Sequence, residues 1–584
     1  MLNSPFIKVL KIDLTSRRFQ IEEREDLIPY LGGVGVAMKL LDEEIDYNQD
    51  PLDPCQPIIF AIGALSTIYP VITKTVCAFY SPLTGNLGES YAGGRLAMAL
   101  LYSGYHAVII KGRADRPVYI TIGSRDVRIK NADPLWGTTV EEAGRYLREK
   151  EGKRGVRSIL RIGPAGEKMV RFAGINVDTY RHFGRLGAGA VFGSKNLKAL
   201  VVSGDNYYPI PEPHFKTYRQ VYREIYKQVT STEIMEKYHG LGTPANVLPL
   251  NDLKALPTRN LTAGSFEFAE ELSGEAFAEE TLVRKMACVG CPVGCIHIGQ
   301  YRTMFDQYSH EYASNALSYD YEPIYALGSF IGTRTKAEFF RLLEKVENYG
   351  LDALSTGVLM GWMTEAYQNS LLKEEEIGTS LDFGYTEGYL KVIENLIHSE
   401  NDLYQTLRLG VEAAASRYGG LDYAMALGRH EMTGYHTGYG AVLGQAVGAR
   451  HSHLDNAGYA VDQKYSIEDR DQFVDAIFHE EVMRCLLNSL IICLFARNVY
   501  TMETIEKAFQ AIGRSISKEE LSSTSRRILK LKLEIKTKMG FDFRKLRFPR
   551  RFFETEYHGG RMDPQIMQDL LNRYIMRVEK LMQE

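Results

Sequence analysis

Neither sign of charge is in excess in this chain, and that balance removes two classes of partner at once. Lys plus Arg total 69 against 73 acids, a formal net charge of −4 at pH 7, so nothing favours nucleic acid or an anionic membrane surface. Long apolar runs are missing too. The longest, around 486–496, is broken by Asn488 and falls far short of the ~20 residues a bilayer span takes. No apolar segment of the signal-peptide kind follows Met1-Leu-Asn-Ser-Pro5. There is no repeat of fixed period, no low-complexity tract, and no G-x-G-x-x-G that closes a strand ahead of a later acid, which argues against a dinucleotide fold. Cysteine is scarce, with seven in 584 residues. They are odd in number and gathered rather than spread as pairs, which points to a reducing cytoplasm.

Three of the seven lie in one loop, Met286-Ala-Cys-Val-Gly-Cys-Pro-Val-Gly-Cys-Ile-His297, as Cys288, Cys291 and Cys295. The C-x2-C-x3-C spacing brings three soft thiolates together, Gly290 and Gly294 permit the positive φ angles that wrapping a metal centre requires, and Pro292 stiffens the turn. With one remote fourth cysteine this is the pattern of a 4Fe-4S cluster. A structural zinc site, which usually comes as two close pairs, and buried unligated thiols are the alternatives. The reversed spacing C-x3-C-x2-C of radical-type clusters is absent.

At this length the chain accommodates about three or four domains, and 45% hydrophobic residues supply their cores. From Phe6 to Ser203 the signals are those of strands. Leu10, Ile12 and Leu14 alternate with polar residues, Thr15-Ser-Arg-Arg18 turns the chain, and Phe19 and Ile21 alternate again, which predicts a hairpin. Further β-rich runs cover 57–64, 107–112, 117–123, 127–130 and 198–203, with a helix over 139–150. Gly204 to Pro213, with three prolines in its last five residues, reads as a linker. Beyond it the period becomes helical: Phe339, Leu342, Leu343 and Val346 share a face, and 390–397 and 526–535 are similar. Asp563 and Pro564 start a last helix that buries Ile566, Leu570, Tyr574, Val578 and Leu581. The expected fold class is α+β, with a mostly-β domain over 1–205 followed by two mainly helical domains, 206–410 and 411–584. The stretch 410–420 marks the second boundary.

Gly32-Gly-Val-Gly35, Gly93-Gly94 and the run from Gly184 to Gly193 could each expose backbone N–H groups to phosphate oxygens, or simply turn the chain between strands. Taken with Ser81-Pro-Leu-Thr-Gly85, Gly163-Pro-Ala-Gly-Glu167, Arg181, Gly184-Arg185 and Gly193-Ser-Lys-Asn-Leu-Lys-Ala199, they resemble the tungstopterin domain of the aldehyde ferredoxin oxidoreductase family. The order continues through the cysteine loop, Tyr321-Glu322, Gly350-Leu-Asp-Ala-Leu-Ser-Thr-Gly357, Asn488 to Cys493-Leu-Phe495 and Pro549-Arg-Arg-Phe552.

The resemblance implies tungsten (or molybdenum) held by the dithiolene sulfurs of two pterins, a 4Fe-4S cluster beside it, and Mg2+ bridging the pterin phosphates. Cys493 is then the fourth cluster ligand, with Cys485 its rival and Cys55 and Cys77 buried thiols. Several positions depart from the family pattern. Lys74 stands for an arginine between pterin and cluster, losing the planar fork. Tyr91 and His182 stand at the two backbone Mg2+ positions. Gly93, Arg181, Gly184 and Arg185 fill phosphate-loop positions. Two pterin turns pair Glu347 with Leu351 and Asp352, and Asn488 with Ile492, where only an amide oxygen is offered. Glu322 and His453 resemble residues lining the tungsten site and suit acid–base work on a carbonyl, while Tyr321 reads as a hydrogen-bond donor or a packed aromatic. Asp455 could orient a neighbouring histidine.

What this implies is an anaerobic cytoplasmic oxidoreductase that converts a small aldehyde to its acid and passes electrons to ferredoxin or a ferredoxin-like iron–sulfur subunit. Aryl thioester reduction within a larger complex, and a cluster-only electron-transfer or scaffold role, are the alternatives. Where archaeal members carry an iron-sharing E-x-x-H pair, this chain reads Arg341-Leu-Leu-Glu344, so an oligomer without a bridging iron is expected. The basic, aromatic stretch 541–552 reads as packing plus a solvated face.

Overall fold

The computed structural model describes residues 4–152, 155–233, 235–306, 308 and 311–584. Strands β1 (Ile7–Asp13) and β2 (Arg18–Arg24) form the expected antiparallel hairpin. Its turn is local chemistry: the Asp13 carboxylate accepts the Thr15 and Ser16 N–H groups at 2.8 and 3.0 Å. Val9, Leu10 and Ile12 are buried, whereas Phe19 and Ile21 on the edge strand β2 stay exposed. With β3 (Ile58–Ala61), β4 (Thr75–Tyr80), β5 (Leu87–Ala92) and β6 (Ala107–Lys111) the hairpin completes a six-stranded sheet in the order β2-β1-β6-β3-β4-β5. A second sheet joins β7 (Val118–Ile122), β8 (Val127–Asn131), β9 (Val156–Arg161), β10 (Ile175–Val177), β11 (Arg181–Phe183) and β12 (Leu197–Gly204) in the order β11-β10-β9-β12-β7-β8. Both sheets are mixed, because β1 runs parallel to β6 and β12 parallel to β7.

The first sheet is covered on both faces. Helix Gly33–Glu44 packs on β3 and β4, and Phe60 meets Phe183 and Phe192 of the second sheet's layer at 5.5 and 6.0 Å. A strand buried on both sides carries no polar alternation, which is why β4, wholly buried, was missed among the sequence expectations. The Gly32–Gly35 run does not cradle phosphate. Gly33 N–H donates to the Ile62 carbonyl (2.9 Å) and Gly35 N–H to Ser489 Oγ (3.2 Å). A Cβ on Gly33 would meet the Asn488 carbonyl oxygen at 2.4 Å. These glycines are needed so that helix Gly33–Glu44 can touch the last turn of helix Arg470–Ser489.

Beyond Gly204 the chain is largely helical. Helix Lys336–Tyr349 opens on a Thr335–Glu338 capping box, Lys518–Lys538 on a Ser517–Glu520 box, and Asp563 caps Pro564–Gln583 as the sequence implies. The stretch 410–420 is itself largely a helix, Val411–Tyr418, with Val411, Ala414 and Ala415 buried. One feature was not foreseen: an antiparallel three-stranded sheet of β13 (Leu282–Met286), β14 (Ile296–Asp306) and β15 (Glu311–Tyr319). The cysteine loop connects its first two strands. One continuous hydrophobic core runs through both halves of the chain.

Several histidines are buried in the neutral form, His106 and His436 among them. Lys8 N–H donates to His106 Nδ1 at 2.9 Å, and burial pushes His106 down to about 3. Burial likewise holds His436 at about 4. Unfolded histidine titrates near 6.5, so below that pH the unfolded chain binds more protons than the folded one and stability falls with falling pH. Each group's contribution is complete above about pH 6.5 and is lost toward pH 4 and 3, at up to about 1.4 kcal/mol per pH unit. Denaturant titrations of the wild type and His106→Gln between pH 7 and 4.5 should show the variant with the shallower pH slope.

Candidate functional site

Three backbone segments meet at the cysteine loop. Val71 N–H donates to the Gly290 carbonyl (3.3 Å), and Cys493 N–H donates to the Val71 carbonyl (3.1 Å). Lys74 N–H reaches the Ile491 carbonyl (3.4 Å), and Val289 N–H the Gly94 carbonyl (3.1 Å). Ile72 and Ile492 face each other as a β-bridge. Residues 71–74 therefore staple Cys288, Cys291 and Cys295 to Cys493, and the positive φ angles of Gly290 (74°), Gly294 (63°) and Ile491 (56°) shape the turns. The four thiols feel one another electrostatically: burial, then Cys493, raises Cys291, and the same causes push Cys295 up to about 12. Among the described residues no three Cys, His, Asp or Glu side chains close on a single-ion position. Cys485 belongs elsewhere, buried beside Lys532 and Glu481.

Two cations stand among these thiols. Burial works against the charge of Lys74, yet Cys493 and Cys288 hold its pKa above the usual lysine value. Arg181, at the start of β11, is likewise kept high against burial by Asp320, Cys288 and Cys295. Its Nη2 lies 3.7 Å from Asp320 Oδ2. At that distance the pair does not overcome burial for the acid, whose pKa is raised. Gly93 has no room for a side chain, since a Cβ there would lie 2.5 Å from Cys288 Sγ. Gly184 is different: a Cβ would meet only His182 Cβ, at 3.7 Å, and otherwise enter open space.

Glu322 sits in the first turn of helix Tyr321–Leu327. Its Oε1 lies 3.5 Å from His453 Nε2 and accepts the Tyr435 hydroxyl at 3.3 Å. Burial raises the carboxyl, but the hydrogen bond from His453 holds it below the ordinary range. Burial lowers His453 despite Glu322, and its buried Nδ1 has no partner. The pair is thus an ionised carboxylate beside a neutral imidazole. Tyr435 stacks on Tyr459 at 4.7 Å and tilts against His453 at 5.0 Å, making an aromatic wall. The expectation for Tyr321 is corrected in favour of packing. Its ring is fully buried and its hydroxyl donates to the Gly434 carbonyl, which leaves it no proton for a substrate.

The remaining positions fall into three polar groups. Arg185 Nε donates to Asp352 Oδ2 (3.0 Å) and its Nη2 to the Glu431 carbonyl (2.9 Å). Asp352 also caps helix Ala353–Gln368 through Leu354 N–H (3.0 Å), while Leu351 bridges Ala173. Glu347 Oε2 is shared by His182 Nε2 (2.6 Å) and Asn176 Nδ2 (3.2 Å). In the third group Asp455 Oδ1 accepts Arg450 Nε (2.6 Å), and its other oxygen accepts the N–H groups of Arg450 (3.1 Å) and Ser452 (3.2 Å). Asp455 therefore orients an arginine and not a histidine, a correction to the sequence expectation that follows from the tight loop 450–455. Arg450 lies over the Tyr91 ring at 5.0 Å and donates to the Glu89 carbonyl at 3.2 Å, while Lys532 Nζ is 2.6 Å from Glu89 Oε2. Asn488 ends helix Arg470–Ser489, one turn before Ile492. Asp320, Glu431, Lys532 and Tyr435 escaped the sequence reading because each acts through partners far away in the chain, and Arg450 because its bond to Asp455 depends on the turn of loop 450–455. Asp320 alone had a signal, as a polar N-cap immediately before Tyr321-Glu322.

Arg181, Arg185, His182, Glu347 and Glu322 keep between 19% and 27% of their side-chain surface accessible, yet burial is the largest influence on Arg181, Glu347 and Glu322. Arg181 Nε and Arg185 Nη1 are buried without hydrogen-bond partners. Unsatisfied guanidinium donors, neighbouring thiols and an open position at Gly184 fit a large anionic cofactor carrying phosphates. The Asp455 network is buried throughout. Replacing Asp455 by Ala leaves Arg450 buried without its closest acid, so thermal unfolding should show a loss of about 3–5 kcal/mol.

The family model for the N-terminal domain of aldehyde ferredoxin oxidoreductase matches residues 9–204, and that for its domains 2 and 3 matches 220–578. The tungsten-containing aldehyde ferredoxin oxidoreductase of Pyrococcus horikoshii is 33% identical over 442 residues, covering 73% of this chain and 70% of that protein. The enzyme of the same name from Pyrococcus furiosus is 30% identical over 579 residues, 94% of this chain and 91% of that one. The WOR-like subunit of aliphatic sulfonate oxidoreductase from Pyrococcus furiosus is 29% identical over 555 residues, covering 90% and 85%. Among solved structures, the active site complex BamBC of benzoyl coenzyme A reductase with 1,5 dienoyl-CoA shares the fold, with a TM-score of 0.80 at 20% identity over 98% of this chain and 94% of that one. The chain is an oxidoreductase that belongs to the aldehyde ferredoxin oxidoreductase family.

Proposed function

We propose that the protein oxidises an aldehyde to a carboxylic acid at a tungsten (or molybdenum) bis-pterin and passes the electrons through a 4Fe-4S cluster to a ferredoxin or ferredoxin-like subunit. The observation that carries this reading is the gathering of four thiols by residues 71–74 with the buried cations Lys74 and Arg181 among them, Arg181 facing Asp320 and Asp320 within electrostatic reach of Glu322. Cys288, Cys291, Cys295 and Cys493 would hold the cluster, the C-x2-C-x3-C loop with one remote cysteine being the pattern of a 4Fe-4S centre. Arg181, Gly184, Arg185 and Lys74 would receive pterin phosphates and ring edges, with Glu347, Asp352 and Asn488 at the pterin turns. The backbone carbonyls of Tyr91 and His182 are offered for Mg2+. When bound, the metal and its pterins supply the two-electron redox chemistry.

What this chain's own groups do follows from their charge states. Oxidation of an aldehyde adds the oxygen of water to the carbonyl carbon and releases two electrons and two protons. Glu322, ionised, can take the proton of the attacking water; neutral His453, at 3.5 Å, can relay it. Tyr435 fixes the Glu322 rotamer through its hydroxyl, and the wall of Tyr435 and Tyr459 excludes water from the carbonyl's flank. Burial with a gathered set of thiols supports a reducing, cytoplasmic setting, and among the described residues no helix is long and apolar enough to cross a membrane. Residues 1–205, 206–410 and 411–584 are the domains we assign. At the position of the family's shared iron, Arg341 pairs with Glu387 (2.6 Å) and Glu344 accepts the Tyr301 hydroxyl. Both side chains are thus engaged within the chain, in keeping with assembly through no bridging iron.

Glu322→Gln and His453→Asn should each lower aldehyde-dependent viologen reduction by at least ~100-fold while tungsten and iron content hold; turnover near wild type in both, across several aldehydes, would reject the assignment. Cys493→Ser should abolish the cluster's EPR signal after reduction, and Cys485→Ser should leave it intact. Equal loss in the two would remove Cys493 from the ligand set.

A further inference from the structure

We infer that a cavity between helix Val140–Lys150, strand β9 and the turn joining β10 to β11 is a binding site for a phosphate group borne by a small organic molecule. The space measures about 390 Å³, and its lining includes Arg95, Arg148, Arg157, Ile159, Asp178 and Thr179. Helix Val140–Lys150 supplies Arg148, β9 supplies Arg157 and Ile159, and Arg95 stands at the start of helix Leu96–Ser103. None of these residues belongs to the cluster, to the pterin turns or to the Glu322–His453 pair, so the inference is independent of the function proposed above.

Three arginines and a single acid line this cavity, which leaves positive charge in excess. Asp178 is already engaged. Its Oδ1 accepts the Ile159 N–H (3.2 Å) and lies 3.2 Å from Arg95 Nη2, while its Oδ2 accepts the Arg95 N–H (3.1 Å). Arg148 and Arg157 have no acid within ion-pairing distance among the described residues. On the same helix Glu141 pairs with Arg145 (2.5 Å), and just beyond its end Glu151 pairs with Lys130 (2.8 Å). Arg157 is held in place, because its Nη1 donates to the carbonyls of Arg148 and Glu151 at the C-terminal end of that helix. Its Nε and Nη2 keep no partner within the described chain. The like charges are close enough to be felt, since Arg95 and Arg148 add to burial in holding Arg157 below the usual arginine value.

Guanidinium forks that converge without acids are complementary to phosphate, whose oxygens accept two parallel N–H bonds from one arginine. A phosphate monoester carries about two negative charges near neutral pH, which matches the excess of three arginines over one aspartate. The volume lies within the ~300–1,000 Å³ of small-molecule sites and is more than a bare phosphate fills. Ile159 offers apolar contact to an organic body and Thr179 a hydroxyl. No histidine, thiol or unengaged carboxylate lines the cavity, so the site binds its ligand and does no chemistry on it.

The test is calorimetric titration of the purified full-length protein at fixed ionic strength, in a buffer without phosphate or sulfate. The probes are glycerol 3-phosphate, inorganic phosphate and, as the neutral counterpart, glycerol. The expected result is saturable binding of one glycerol 3-phosphate per chain, weaker binding of inorganic phosphate and none of glycerol. Arg148→Ala and Arg95→Gln should each weaken binding about tenfold or more, the scale of one lost charge-assisted hydrogen bond. Arg145→Ala, on the same helix but paired with Glu141 outside the cavity, should bind as wild type. All three replaced side chains are exposed, so the variants should unfold at the wild-type temperature. Inorganic phosphate bound as tightly as the monoester would keep the phosphate site and remove the organic part of the ligand. No saturable binding of either phosphate, or wild-type affinity in both Arg148→Ala and Arg95→Gln, would overturn the proposal.

Discussion

Three backbone hydrogen bonds around residues 71–74 hold the molecule's chemistry in one place. That short segment lies between the turn that carries Cys493 and the loop that carries Cys288, Cys291 and Cys295, bonding to both through Val71 and to the Cys493 turn again through Lys74. The covalent distance between these parts is large, and neither the loop nor the turn belongs to a helix or strand that would hold it alone. Without the staple, Cys493 would have no fixed relation to the other thiols. The staple in turn depends on close approach: Gly63 and Gly33 pack directly on the backbone of 488–490, and Gly93 on Cys288 Sγ. Glycine at these positions is a matter of space, and a methyl group at any one of them would push the walls of the site apart.

Charge is distributed around this frame in two different ways. On the side of Tyr91 the buried ions are matched: Glu89, Arg450, Asp455 and Lys532 neutralise one another, and attraction to Glu89 and Asp455 keeps Arg450 and Lys532 charged in spite of burial. Such a network costs desolvation energy and gains rigidity. On the side of the thiols the ions are not matched. Lys74 stands among thiols and beside Arg181, the two cations share Asp320 at long range, and guanidinium nitrogens of Arg181 and Arg185 lack acceptors. A fold does not strand buried donors without reason, because each costs about 1–3 kcal/mol. The asymmetry is what a preorganised anionic cofactor site requires.

How much of this was legible from the sequence depended on the range of the interactions. The hairpin, the final helix with its Asp563 cap and the cysteine loop were all legible, because each is specified by residues within a few positions of one another. β4 was not, since Thr-Val-Cys-Ala-Phe-Tyr is buried on both faces and shows no alternation. The glycines of Gly32–Gly35 were visible but misassigned, because a glycine that admits a helix and one that admits a phosphate have the same spelling. Tyr321 and Asp455 could be named from the sequence as polar groups, while their partners, the Gly434 carbonyl and Arg450, could be identified only in three dimensions. Glu322 and His453 are 131 positions apart in sequence and 3.5 Å apart in space; only the resemblance to a family linked them beforehand.

The account stands on the claim that this site is built for a pterin-bound metal beside an iron–sulfur cluster. The most direct test is elemental analysis of the chain purified without oxygen, with pterin release measured on the same sample. The account predicts tungsten or molybdenum at one per chain, a pterin derivative at two per metal, and iron sufficient for a single 4Fe-4S cluster. Zinc at one per chain with iron and pterin absent would contradict it.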